Sequence, residues 1–434
     1  MAGAGPDVRV ARDEDGTIRV TPGPVPGATG AHDERGAVGA DFTRSVLDVA
    51  GAVLCWPVLG EPVLPVAEIH DAGRAQQWLW ALYGERVAAA VHEAGAGAGD
   101  PAGTPVGAEP SALAGAAARL GLAHWAARWW PASYPDGVPA LEPDVLGLES
   151  AALTHRCQQL FDDGDDQPDD CAAELIEEHR AALAPLLRWW RTAPRPADTA
   201  RHVDDVLRLI DDAADGAGLD GTELRRLHSA LDRGRDHGRT DASDTTDTTA
   251  GLGALFARQD GYALAADGPP TGGGGRVIAR GRGTNDWRRY PPGLVDAAED
   301  AVSWTARALG ARRQIEVEAL AHVAAPATGV LLVAEVRVGG GSPGRVPLTR
   351  RDDVWTGRAE LDPGTGPPRI DVEVLLPGFD PGAGPGARAR RDAIRALARR
   401  RLADAARPPA YGAHEGVPEP FLAETLAAAT REDH

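Results

Sequence analysis

The chain of 434 residues contains no lysine, so all 45 of its Lys+Arg side chains are arginine. That absence removes Schiff-base chemistry, the P-loop and kinase phosphate-pairing lysines, and Ser-Lys dyads. Asparagine occurs once, as Asn285, and methionine once, as Met1. These deficits accompany abundant Ala, Gly, Arg, Asp and Pro, the signature of a GC-rich coding composition. The three cysteines, Cys55, Cys157 and Cys171, form no CxxC pair, which excludes a zinc knuckle and a thioredoxin-like centre. Cys55 lies in the apolar run Val53-Leu54-Cys55-Trp56 and is expected in a core.

Other familiar motifs are missing too. There is no GxSxG elbow, HExxH or His-x-His pair, and the histidines are scattered. His179 falls in line with an apolar stripe and is expected at a core boundary. Gly281-Arg282-Gly283-Thr284 resembles a dinucleotide loop only in part: it leads to Pro291-Pro292 rather than a helix, and is read as a turn. No apolar stretch approaches 18 residues and the start carries no basic segment before an apolar one, so the expectation is a cytoplasmic protein without a membrane partner.

What is present is acidic and uneven. Net charge is −19; residues 1–269 carry 22 Arg against 43 acids, whereas residues 270–434 carry 23 Arg against 21. The acidic front half disfavours nucleic acid, whose binding depends on neutralising phosphates. With 53 glycines and 35 prolines, much of the chain must be loop.

Patterning divides the chain. Residues 1–41 hold a β-hairpin, Val8 and Val10 answering Ile18 and Val20 across Asp15-Gly16, and then a Pro/Gly tether. Residues 42–235 are read as a helical domain holding eight of the 11 tryptophans, its stripes including Leu175, Ile176, Leu183, Leu186, Leu187 and Trp190. Within it, residues 94–110 are read as a loop. Residues 236–293 form a Gly/Asp-rich linker. Residues 294–380 turn to a period of two, with segments 302–308, 314–323, 330–338, 354–361 and 369–376 as strands of a small antiparallel β-sandwich. Residues 294–309 are equally open to a helix. Residues 387–406 form a basic helix, and 407–434 a partly ordered tail. The expected class is multidomain α+β: a Trp-rich helical N-terminal domain, then a β-sandwich and a C-terminal helix.

Two constellations carry candidate chemistry. Asp162-Asp163-Gly164-Asp165-Asp166 and Asp211-Asp212-Ala213-Ala214-Asp215 both fit DDxxD. Such pairs look like those of isoprenoid synthases, where Asp162, Asp163, Asp166, Asp211, Asp212 and Asp215 would hold Mg²⁺ against a diphosphate. The lysines that grip the diphosphate in prenyl synthases are absent here, and Gly164 with Pro168 turns the first motif into a loop. The second constellation is the terminal helix, whose Arg388, Arg390, Arg391, Arg395, Arg399, Arg400 and Arg401 surround an apolar face of Ile394, Leu397 and Leu402. These arginines are candidates for contact with an acidic partner; otherwise they stand in water while the apolar face docks.

The run His124-Trp125 through Arg128-Trp129-Trp130-Pro131-Ala132-Ser133, with Pro139-Ala140-Leu141, Leu146 and Ala152-Leu153-Thr154-His155-Arg156, resembles uncharacterised actinobacterial proteins. Those accompany a MoxR-type AAA+ ATPase and a von Willebrand factor A protein. The resemblance implies an accessory subunit of a defence-like, ATPase-driven assembly, and carries no catalytic residue. The expected function is therefore a non-enzymatic adaptor or scaffold; the alternative is a Mg²⁺-dependent enzyme acting on a diphosphate.

Overall fold

The structure, a computed structural model, describes residues 6–23, 42–60, 64–97, 103–161, 171–192, 197–236, 276–322, 325–326, 329–339, 341–361, 369–379, 386–407 and 419–431. It is mixed α+β and falls into two compact units. The first gathers Met1–Ala127, Leu141–Phe256 and Arg400–His434; the second gathers Arg128–Ala140 and Ala257–Arg399.

The first unit opens with strands. β1 (Asp7–Arg12), β2 (Ile18–Pro22), β3 (Arg44–Val49), β4 (Ala52–Pro57), β5 (Val66–Ile69) and β6 (Thr104–Gly107) form one antiparallel sheet in the order β3-β4-β5-β2-β1-β6. The expected hairpin is there, with Val10 opposite Val20. Its turn closes through the Asp13 N–H donating to Thr17 O at 2.8 Å, and Gly16 takes φ +92°, the region that favours glycine. The tether expected beyond it, at 24–41, lies outside the described residues.

The helical domain expected from residue 42 needs correcting: the unit's first part is mostly strand. Ser45, Leu47 and Val49 are buried on β3 while Val46 and Asp48 face out. An apolar residue on the open face hides that alternation, and a short apolar run such as Ala52–Pro57 does not distinguish strand from buried helix. The expected loop at 94–110 likewise contains β6.

Helices follow. α1 (Ala72–Tyr83) starts at Asp71, whose carboxylate caps the Arg74 N–H at 3.1 Å. α2 (Glu85–Gly95) packs on β1, β2 and β6 through Val87, Val91 and Ala94. α3 (Ala112–Trp129), α4 (Pro143–Arg156), α5 (Cys171–His179), α6 (Leu183–Thr192), α7 (Ala197–Gly216) and α8 (Thr222–Asp236) complete the set, with a later helix described below. The buried indoles of Trp78 and Trp125 donate to Ala50 O and Phe42 O, at 2.9 and 2.7 Å, so their polar ends are satisfied. α4 is the hub, touching α5 and α7, and every residue from Val145 to Thr154 is buried. A helix enclosed on all sides shows no amphipathic stripe. Ser150 and Thr154 survive there by donating to Leu146 O and Ser150 O, both at 2.8 Å. The ring of His179 lies against Gly147, where any Cβ would stand 2.0 Å from it.

The second unit holds two antiparallel sheets. β7 (Arg276–Arg282), β8 (Val302–Leu309), β9 (Arg312–Leu320), β12 (Thr349–Arg351) and β13 (Val354–Leu361) run β12-β13-β9-β8-β7. β10 (Val333–Val338), β11 (Gly344–Pro347) and β14 (Ile370–Leu375) run β11-β10-β14. The sheets meet where β11 approaches β13 and β14 approaches β8. Val302, Ala306, Ile315, Val317 and Trp355 from one, with Ala334, Val346 and Val372 from the other, are buried.

The linker expected at 236–293 is corrected over 276–293; residues 237–275 lie outside the described residues. β7 pairs with β8, and a 3-10 turn follows at Trp287–Arg289. Gly281 and Gly283 are there for close approach: a Cβ would stand 2.6 Å from the Trp304 ring at the first and 2.7 Å from Val372 O at the second. Asn285, expected in a linker, is 0% exposed; it donates to Asp296 O and Ala298 O at 2.8 and 2.6 Å and accepts from the Tyr290 hydroxyl. The open question over 294–309 resolves as an irregular segment followed by β8.

The basic helix, α9 (Ala387–Ala405), forms as expected, its residues through Arg399 belonging to the second unit. The tail holds more order than expected: α10 (Leu422–Arg431) is seated in the first unit against α4 and α7, with Phe421, Leu422 and Ala423 buried.

Asn285→Ala should destabilise the second unit by about 2–4 kcal/mol, because two buried carbonyls and a phenol lose their partner. Chemical denaturation followed by tryptophan fluorescence reads it; a loss under about 0.5 kcal/mol, ordinary for a surface change, would contradict the bracing role.

Candidate functional site

α4 carries one charge in its enclosed stretch, Glu149, 2% exposed. Burying a carboxylate without partners costs several kcal/mol, so its surroundings are tightly determined. Oε2 accepts from the Ala423 N–H at 3.3 Å. Oε1 lies 3.0 Å from His202 Nε2, on α7, and 3.6 Å from the Arg119 guanidinium, on α3. Arg119 in turn reaches His202 Nε2 at 2.9 Å, Glu419 at 3.2 Å and Pro420 O at 3.4 Å, and stands over the Phe421 ring.

These contacts compete for one atom. A guanidinium only donates, so Arg119 satisfies Nε2 when that nitrogen carries its lone pair. In that tautomer Nε2 has no proton for Glu149, and Glu149 Oε1 lacks a hydrogen bond among the described residues. The group borders a cleft of about 350 Å³ inside the first unit, shared with Ala152, Leu153, Arg156, Arg201, Val206 and Leu209. The cleft presents the guanidiniums of Arg119, Arg156 and Arg201, the carboxylates of Glu149, Asp205 and Glu419, and an apolar wall, and among the described residues no serine, threonine or cysteine lines it.

No family model, curated protein or solved structure matches this chain.

The residues singled out from the sequence are elsewhere. Asp162, Asp163 and Asp166 lie outside the described residues. Asp211 on α7 is 3.1 Å from His228 Nδ1, which it holds above the ordinary histidine pKa, while Asp212 and Asp215 are exposed. No group of three His, Cys, Asp or Glu suited to a metal ion occurs among the described residues.

The arginines of α9 divide, which corrects the expectation of one solvent- or partner-facing set. Arg388, Arg390 and Arg400 are exposed, Arg388 still lying 3.6 Å from Glu299, and Arg399 pairs with Asp136 at 3.1 Å. Arg391 and Arg395 are buried: they grip Glu299 at 2.9 and 2.8 Å, Arg395 also reaches Asp136 at 3.4 Å, and its guanidinium lies over Trp287. Arg401, buried in the first unit, makes a two-pronged contact with Glu424 at 2.5 and 2.7 Å. In a chain without lysine a buried cation charged at all ordinary pH is a guanidinium, whose planar fork matches a carboxylate. Periodicity counts an inward arginine as polar and places it in water.

Burial pushes the Glu299 carboxyl up, yet the hydrogen bonds and charges of Arg391 and Arg395 outweigh it and hold the group below its ordinary range. Asp286 behaves alike through Arg288 and Arg391. Asp296 is opposite: burial raises it despite N–H donors from Ala298 and Tyr134.

Sequence reasoning passed over Glu149, Arg119 and their joint contact with His202. The legible signal was a single carboxylate inside the otherwise apolar and small Val145–Thr154.

Two outcomes follow from these ion pairs. Groups held below their unfolded pKa stabilise the fold above it, so Asp286 and Glu299 should withdraw stability from the second unit as pH falls below about 4 and they take up protons. Melting curves against pH check this, and Glu299→Gln should flatten the slope; an unchanged slope contradicts the assignment. Arg401→Ala should cost the first unit about 3–5 kcal/mol by stranding Glu424, whereas Arg400→Ala should change stability by less than about 0.5 kcal/mol. Denaturant midpoints of the two variants decide it.

Proposed function

We propose that this protein is a non-enzymatic adaptor or accessory subunit that binds protein partners in the cytoplasm, in a defence-like system built around a MoxR-type AAA+ ATPase and a von Willebrand factor A protein. On this reading the two sheets of the second unit form a small β-sandwich, immunoglobulin-like in outline, and the tryptophan-rich helices of the first unit supply a second binding module. The resemblance over residues 124–156 supplies the partner class.

One observation carries the binding reading. Trp78, Leu79 and Leu82 of α1 are buried, but Trp80 on the same helix is 53% exposed. Its Nε1 donates to Gln77 O at 3.0 Å within its own helix, so the ring surface left in water is apolar. Water-facing indole is the surface that protein interfaces bury as an anchor. Arg400 of α9 adds an exposed fork suited to a carboxylate of a partner, and Arg388 and Arg390 are exposed as well, Arg388 lying 3.6 Å from Glu299.

The test is copurification of tagged wild-type protein and Trp80→Ala with the AAA+ ATPase and the von Willebrand factor A protein. Wild type should retain at least one of them, and the variant should bind it at least about tenfold more weakly with its melting temperature unchanged. Recovery of the wild-type protein alone, or equal binding by the variant, overturns the reading.

A further inference from the structure

We infer that the cleft of the first unit binds a small organic anion, a carboxylate or a phosphate joined to an apolar body, and that Glu419 occupies the anion's place when the site is empty of it.

The argument begins with the buried carboxylate. Glu149 Oε1 is enclosed at the cleft and lacks a hydrogen bond among the described residues, although His202 Nε2 stands 3.0 Å away. Arg119 competes for that nitrogen, its N–H facing the same Nε2 at 2.9 Å. An unsatisfied buried acceptor costs roughly 1–3 kcal/mol. The cost disappears if Arg119 turns its N–H toward another acceptor, because His202 can then carry its proton on Nε2 and donate to Glu149. The change moves the ring proton of His202 from Nδ1 to Nε2.

The cleft is built to supply that acceptor from outside. Arg119 already holds one carboxylate, that of Glu419, at 3.2 Å, and Glu419 is mostly exposed, so water competes for it. Exposed pairs of this kind contribute about 1 kcal/mol or less and are readily exchanged. Arg156 lines the same cleft and makes no ion pair among the described residues. Arg119, Arg156 and Arg201 bring three guanidiniums to one cavity beside the carboxylates of Glu149, Asp205 and Glu419, and a guanidinium matches the fork geometry of carboxylate and phosphate. The wall between them, Leu153, Val206 and Leu209, is apolar and suits a carbon skeleton rather than a bare ion. The volume, about 350 Å³, lies within the range of small-molecule pockets.

Calorimetry on the full chain tests this with four probes: hexanoate and phenyl phosphate, each with an apolar body, against acetate and inorganic phosphate. Hexanoate or phenyl phosphate should bind at least tenfold tighter than its bare counterpart, and whichever of the two binds tighter identifies the anionic group. Arg156→Ala, a change at an exposed side chain, should weaken that probe by about tenfold, the loss of one charge-assisted hydrogen bond. Glu419→Ala should tighten it roughly two- to fivefold by removing the internal competitor. ¹⁵N spectra of the histidines should show His202 passing from the Nδ1–H to the Nε2–H tautomer on addition of the ligand. Absence of binding by all four probes, equal affinity with and without the apolar body, or a Glu419→Ala variant that binds no tighter overturns the inference. The outcome is independent of the Trp80 interface, whose loss would leave this site intact.

Discussion

Two guanidiniums shut away from water, Arg391 and Arg395, impose the strictest condition on the second unit. A buried unpaired cation is far more costly than any single apolar contact is favourable, so the unit is stable only in arrangements that bring carboxylates to both. Glu299 meets them from the irregular segment before β8, and Asp136 meets Arg395 from a short stretch far earlier in the chain. That stretch is fixed further by Tyr134 N–H donating to Asp296 at 2.9 Å. Segments without regular structure are thus located by charge, while the strands around them are located by apolar alternation.

The first unit solves the same problem with the sign reversed. Glu149 is a buried anion in the middle of its most enclosed helix, and three elements converge on it: α3 with Arg119, α7 with His202, and the Ala423 N–H at the start of α10. The difference lies in completeness. The Arg391–Arg395–Glu299 cluster satisfies its members, whereas His202 is claimed by two neighbours with opposite needs. A network left one donor short inside a cleft is chemically receptive in a way that a finished network is not.

Legibility in the sequence followed the physics of each element. Strands β8, β9, β13 and β14 alternate apolar and charged residues, such as Ile315 and Val317 with Glu316 and Glu318, and could be placed within three residues at each end. β3 and β4 escaped, since Val46 is apolar on the open face and Ala52–Pro57 is apolar throughout. β7 escaped because glycine suggests a linker, while Gly281 and Gly283 are demanded by Trp304 and Val372 pressing on the backbone. Arg391, Arg395 and Arg401 were visible as arginines, but their direction depends on carboxylates remote in sequence. The Glu149 site was hidden for that reason as well: its members come from positions 119, 149, 202 and 423, and no local pattern joins them.

The bond from Ala423 N–H to Glu149 spans 274 positions of the chain. Synthesis reaches α4 long before α10, and Ala257–Arg399, most of the second unit, is made between them. Long-range closure of this kind is slow and leaves apolar surface uncovered meanwhile. The hydrogen bond that Ala423 gives Glu149 therefore forms only after most of the chain between them has been made.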